Sequence, residues 1–230
     1  MVGRADGRTA GLTCCLMLLS LASRPVVHQS HASQSDAYSI LDHAAAVYDT
    51  IRTLAADFTQ IVDNPMVGTP DTTRGRLYQE RPNHFAMRFT VPAGDRIIAD
   101  GQWLWLYTPS TTPDQVIRSA IPSTGPRGPN LIGQFVERPR ERYGARGVRA
   151  DSTARGVSDV IALTPKDSAG PALDAVIWVE RATGLVTRLE IAENSGQQRV
   201  VVLRNIVVNG PVPGREFRFS PPAGVRVVHQ

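Results

Sequence analysis

From Asp36 to about Ala56 the apolar residues Ile40, Leu41, Ala44, Val47, Tyr48, Ile51, Leu54 and Ala55 recur at spacings of three and four. That period predicts one amphipathic helix, with Ser35 or Asp36 able to cap its start. From Phe58 onward the period changes to two. It predicts strands over 57–63, 73–79, 85–91, 95–100, 102–108 and 115–119, and a second group over 158–165, 172–180, 186–192, 198–208 and 216–219. Turn residues punctuate them: Asn64-Pro65, Arg81-Pro82-Asn83, Pro92-Ala93-Gly94, Asp100-Gly101, Thr183-Gly184 and Asn194-Ser195-Gly196. Asp100-Gly101 between two strand-like runs is a strong hairpin signal. Many short strands joined by tight turns predict a mainly β chain with an antiparallel, curved or barrel-like sheet.

The segment Pro122 to Gly147 breaks this pattern. Asn130 can cap a helix with the sequence LIGQFVER, which Pro139 then stops. Leu131, Ile132 and Phe135 fall on one face of it. This helix reads equally as a lid over the sheet and as an ordinary surface helix.

One strand stands apart. QWLWLYTP, Gln102 to Pro109, is apolar on both faces, with Trp103, Trp105 and Tyr107 on one side and Leu104 and Leu106 on the other. A strand with one side in water alternates instead. One face can pack under the long helix while the other lines a concave apolar space under the 130s helix. A central strand in a filled core would show the same pattern. Parity matters again at Leu77, Arg81, Phe85, Met87 and Phe89, which share odd numbering across the Pro82 turn. If the turn keeps register, one arginine shares a face with four large apolar side chains. A guanidinium there either snorkels to water at the strand end or donates to acceptors that close a cavity.

The whole chain has 230 residues, 42% of them hydrophobic, enough for one sizeable core. Residues 1–32 read as a cleaved signal peptide and 33–230 as a single domain. Arg4 and Arg8 form a positive start, Gly11–Ala22 a short apolar run, and small residues follow. Both cysteines, Cys14 and Cys15, lie in that apolar run; most of the run follows them, opposite to a lipidation signal. Cleavage would leave a chain without thiol or disulfide chemistry. The formal charge is +4, with the positive charge nearly all arginine and Lys166 the one lysine. Most arginines alternate with acidic or apolar residues along strands, so the sequence does not describe a nucleic-acid binder. There is no G-x-S-x-G elbow, H-E-x-x-H, P-loop or G-x-G-x-x-G motif. His43, His84 and His229 are far apart, with no metal-ligand spacing. Neither a catalytic constellation, a metal site nor a cofactor site is expected.

Five stretches also carry a family resemblance. LAADFTQ (Leu54–Gln60), GRLYQERPNHF (Gly75–Phe85), IIADGQWLWLYTP (Ile97–Pro109), LTPK (Leu163–Lys166) and FRFSPPAGV (Phe217–Val225) resemble, in order, pieces of the periplasmic outer-membrane lipoprotein carrier family LolA. The D-G…L-W…Y-x-P and F-x-F-x-P-P-x-G-V pieces are the more specific. The resemblance covers roughly residues 38–228. It implies an unclosed antiparallel β-barrel with helices as a lid over a hydrophobic cavity. It also implies a periplasmic chaperone, expected as a monomer, that takes acylated lipoproteins from an inner-membrane ABC transporter to an outer-membrane acceptor. On that reading Leu77, Phe85, Met87, Phe89, Trp103, Trp105, Tyr107, Leu131, Ile132 and Phe135 line the cavity. Arg81, in the family's Arg-Pro turn, would hold the lid closed by donating to backbone carbonyls near residues 130–138. Met87 stands where an aromatic is expected, and the arginine-rich run Arg127–Arg149 matches poorly. The alternative is a periplasmic binding protein or sensor for another lipid or apolar ligand on the same fold.

Overall fold

The computed structural model describes residues 34–66, 68–121, 131–154, 156–167, 173–193 and 195–230. The signal-peptide reading and the Asn130 cap lie outside these residues. Helix α1 (Gln34–Asp49) leads into strands β1 (Thr53–Asp63), β2 (Asp71–Glu80), β3 (His84–Val91), β4 (Ala93–Asp100), β5 (Trp103–Tyr107) and β6 (Gln115–Ala120). Two one-turn helices follow, α2 (Gly133–Val136) and α3 (Pro139–Arg142). The chain then returns to strands β7 (Tyr143–Thr153), β8 (Gly156–Pro165), β9 (Asp174–Glu180), β10 (Val186–Ala192) and β11 (Gln198–Val208). A 3₁₀ turn (Gly214–Phe217) and strand β12 (Arg226–His229) end it.

All these strands join one 12-stranded sheet in the order β12-β6-β5-β4-β3-β2-β1-β11-β10-β9-β8-β7. Every pairing is antiparallel except β12 with β6, which is parallel. Edges β12 and β7 do not pair with one another, so the sheet stays open rather than closing into a barrel.

The helix predicted to about Ala56 stops short of it. Ala37, Leu41, Ala44 and Tyr48 form its buried stripe, and it ends at Asp49. Beyond that point the sheet captures the backbone. Leu54 pairs with Val208 and with Gln79, and the Arg52 N–H donates to Asn209 Oδ1 at 2.7 Å. Tertiary pairing therefore overrides a helical period that Ile51, Leu54 and Ala55 also satisfy. The helix predicted from Leu131 shrinks to Gly133–Val136, and Pro139 opens α3 at its first position instead of only ending a helix. The predicted strand at 216–219 gives way to the 3₁₀ turn. Arg88 accounts for that turn: Nη2 donates to the Arg215 carbonyl at 3.1 Å and to the Glu216 carbonyl at 2.8 Å.

The sheet has two apolar clusters. The larger unites the α1 stripe with Leu77, Phe85, Met87, Leu104, Leu131, Ile132, Phe135, Tyr143 and the inward residues of β8 to β11. The smaller joins Ala86, Ile98, Trp105, Tyr107, Val116 and Phe217. Neighbours along one strand, Phe85 and Ala86 or Leu104 and Trp105, fall in different clusters. The clusters therefore lie on opposite faces of β3 and β5. Among the described residues no helix is long and apolar enough to cross a membrane.

Candidate functional site

The β2–β3 hairpin settles the parity question. Gln79 pairs with Phe85, Leu77 with Met87 and Gly75 with Phe89, so odd positions stay in register across the Pro82 turn. Leu77, Phe85 and Met87 are buried in the larger cluster, and Phe89 packs at its margin. The Phe89 ring meets Phe58 edge-on, with centroids 5.1 Å apart. Leu131, Ile132 and Phe135 enter the same cluster from above, at 4%, 0% and 1% exposure. Seven of the ten expected cavity residues thus meet in one place, between the sheet and its helices.

The other three do not. Trp105 and Tyr107 are buried in the smaller cluster, and half-buried Trp103 packs against it. Leu104, on the other side of the strand, faces the helices instead. The C-terminal segment covers the aromatic face. Phe219 lies 5.4 Å from the Trp105 ring and 5.7 Å from the Tyr107 ring, centroid to centroid. Arg96 and Arg118 also cover it, Arg118 4.4 Å above Trp103 and Arg96 5.7 Å from the Tyr107 centroid. Asp100 fixes the hairpin. Its Oδ1 accepts from the Gln102 and Trp103 N–H groups at 2.9 and 2.8 Å, and its Oδ2 from Trp105 Nε1 at 2.7 Å. Gly101 sits at φ 95°, which a side chain would strain. Burial alone would raise the Asp100 pKa, but these three donors outweigh it and hold the carboxyl below the usual range.

Arg81 follows β2 and stands at the border of the larger cluster, with 35% of its side chain exposed. Its Nη2 donates to the Tyr48 carbonyl at 3.1 Å and lies 3.4 Å from Glu137 Oε1. The expected acceptor is a carbonyl of residues 130–138. The carbonyl actually used belongs to the last turn of α1, and the 130s contribute a carboxylate. A helix C-terminus offers unsatisfied carbonyls and a partial negative charge, which explains why a guanidinium settles there. The Tyr48 hydroxyl accepts from the Val186 N–H at 3.2 Å and so ties the same turn to β10. Burial pushes the Tyr48 phenol well above the ordinary tyrosine pKa, so it stays neutral.

The three helices are fastened to each other. Arg140 of α3 grips Asp42 of α1 through Nε at 3.0 Å and Nη2 at 2.7 Å, and its guanidinium lies 4.8 Å from the Tyr38 ring. The hydrogen bond to Asp42 raises the Arg140 pKa further. Arg142 Nη1 donates to the Gln134 carbonyl of α2 at 2.8 Å. The Tyr38 hydroxyl donates to the Tyr143 carbonyl at 2.9 Å. Part of the arginine-rich run therefore knits the helices together. No local pattern signals these partners, because Asp42 and Arg140 are 98 positions apart.

A groove of about 600 Å³ opens elsewhere, lined by Asp151, Trp178, Arg188, Leu185, Leu203 and Ile206 among others. Arg188 stacks on Trp178 at 4.6 Å from the ring centroid. Leu185, Leu203 and Ile206 also belong to, or pack against, the larger cluster, so the groove reaches its edge.

Known proteins resemble this chain in sequence and in fold. The family model described as outer membrane lipoprotein carrier protein LolA matches residues 49–220. An outer-membrane lipoprotein carrier protein of Albidiferax ferrireducens is 31% identical over 193 residues, 79% of this chain and 86% of that one. One of Alkalilimnicola ehrlichii is 27% identical over 214 residues, covering 92% of this chain and 91% of its own. An uncharacterized conserved protein of Thermus thermophilus shares the fold, with TM-score 0.52 at 13% identity over 84% of this chain and 99% of its own. The chain belongs to the LolA family of outer membrane lipoprotein carrier proteins.

Proposed function

We propose that this protein is a periplasmic carrier that shields the acyl chains of lipoproteins between the two membranes of the envelope. An inner-membrane ABC transporter would supply the cargo and an outer-membrane acceptor would take it. The observation that carries the reading is the meeting of Leu77, Phe85, Met87 and Phe89 on the sheet with Leu131, Ile132 and Phe135 beneath the helices. Acyl chains gain about 0.8 kcal/mol per methylene on leaving water, so the anchor cannot cross water unaided. The carrier must cover the chains, yet must not hold them so tightly that it keeps them.

The work is binding, not bond-making. In the proposed cycle the arrangement above is the closed state. Arg81 holds the end of α1 down, and the helices, knitted by Arg140 and Arg142, cover the apolar face. Cargo displaces the helices and takes over their apolar contacts. The Arg81–Tyr48 bond is then lost, which offsets part of the gain from acyl burial and favours hand-over.

The test is to incubate the mature protein with spheroplasts and to look for triacylated lipoproteins in the soluble fraction, in complex with it. Recovery of that complex by wild type, and its loss in a Phe85→Glu variant that still folds by circular dichroism, supports the carrier reading. No complex, with a folded protein and a working donor, overturns it.

A further inference from the structure

Tyr143 opens β7 directly behind α3 and is fully buried in the larger apolar cluster. Its ring lies 6.1 Å from Phe135, centroid to centroid. Its backbone carbonyl accepts from the Tyr38 hydroxyl of α1. Its own hydroxyl has no hydrogen-bond partner among the described residues. A buried polar group without a partner costs stability, and most proteins supply one. A phenylalanine would fill the same space without that cost. The oxygen therefore serves no bond visible in the closed state, and it sits where the helices meet the sheet.

We infer that the Tyr143 hydroxyl is the donor that recognises the carbonyl oxygen at the root of a bound acyl chain, in an ester or amide of a lipid anchor. This rests on the carrier reading above and adds a specificity element to it. The chemistry matches on three counts. The phenol is neutral: burial raises its pKa, with the nearby Arg142 charge opposing, so it keeps its proton to donate. An acyl ester carbonyl accepts but cannot donate, so one O–H satisfies it. A hydrogen bond in an apolar site favours a ligand that offers a carbonyl oxygen at that position over an analogue with only the weaker ether oxygens. Apolar walls accept any hydrocarbon. Tyr143 would tell an acyl chain from an alkyl chain.

The experiment measures displacement of an environment-sensitive fluorescent fatty-chain probe from the full mature chain. The competitors are dioleoylglycerol and its di-ether analogue, which lacks both carbonyls. Wild type should prefer the ester by about three- to tenfold, the range of one net hydrogen bond. Tyr143→Phe should keep its affinity for the ether and lose that preference. Its denaturation midpoint should be equal to or above that of wild type, since no bond within the fold is removed. An ester-to-ether ratio that is the same in both proteins overturns the inference while leaving the carrier reading intact. A lowered midpoint with an unchanged ratio makes the hydroxyl a structural group and also overturns it. Failure of both lipids to displace the probe from wild type overturns both readings.

Discussion

Arg81 Nη2 lies 3.1 Å from the Tyr48 carbonyl, joining the β2–β3 turn to the last turn of α1. The bond reaches across 33 positions of sequence and ties the helix to the sheet at the rim of the apolar face. A hydrogen bond from a charged donor contributes about 1.5–3 kcal/mol, and the partly exposed position lowers that to about 1–2 kcal/mol. Replacing Arg81 with leucine removes the bond and adds an apolar side chain at the border of the apolar cluster. In the proposed cycle both changes favour the loaded state. The Arg81→Leu variant should take up cargo as wild type does and release it to acceptor membranes about 5- to 30-fold more slowly. A transfer assay with pre-formed complex reads this directly. Unchanged transfer would remove Arg81 from the mechanism.

The aromatic face of β5 predicts a different phenotype. Phe217 is 3% exposed and packs with Trp105 and Tyr107 on the side of the sheet away from the helices. Phe217→Ala should cost about 3 kcal/mol of stability, the usual scale for truncating a buried aromatic. Cargo uptake per folded molecule should not change. Urea denaturation and uptake, measured on the same preparation, separate the two.

The strands were legible because alternation on one buried face is a local signal, and the turn residues between them are local too. Leu77, Phe85, Met87 and Phe89 followed from parity, once the Pro82 turn kept register. The destination of Trp103, Trp105 and Tyr107 was not legible. A strand apolar on both faces states that both are covered, but not by what. The covering residues, Phe217 and Phe219, lie far downstream in the chain. Strand β7 was missed for a related reason. Its buried residues Tyr143, Ala145 and Gly147 are mostly small, and exposed Arg146 and Arg149 line an open edge. Apolar periodicity is faint there, while charges on an edge strand discourage pairing with another chain. The short parallel strand β12 depends wholly on β6 and has no signal of its own.

Asp100 sets a pH dependence. Its folded pKa is held below the ordinary carboxylate value, the donors of Gln102, Trp103 and Trp105 outweighing burial. A depressed folded pKa means that the unfolded chain binds the proton first. The stabilisation is therefore complete above the unfolded pKa of about 3.9 and is lost as pH falls below it. Wild type should lose more stability than Asp100→Asn between about pH 5 and about pH 3. Chemical denaturation at the two pH values tests this, and parallel losses would contradict it.

Gly75 predicts a steric effect. A Cβ there would collide with the Arg88 carbonyl oxygen and lie 2.8 Å from the Phe89 Cα. Both obstacles are backbone, at the register shift between β2 and β3. Gly75→Ala should cost about 2 kcal/mol or more and disturb Phe89, which pairs with it. A thermal denaturation midpoint within error of wild type would contradict this close approach.

Cargo, in the proposed cycle, lies between the helices and one face of the sheet. A photoreactive phenylalanine analogue at Phe89 samples that face, and the same analogue at Trp103 samples the opposite one. Each protein would be incubated with lipoprotein-releasing inner membranes and irradiated. Adducts with acylated lipoprotein are expected from position 89 and none from position 103. Adducts from 103 alone would contradict the carrier geometry and place the cargo on the aromatic face.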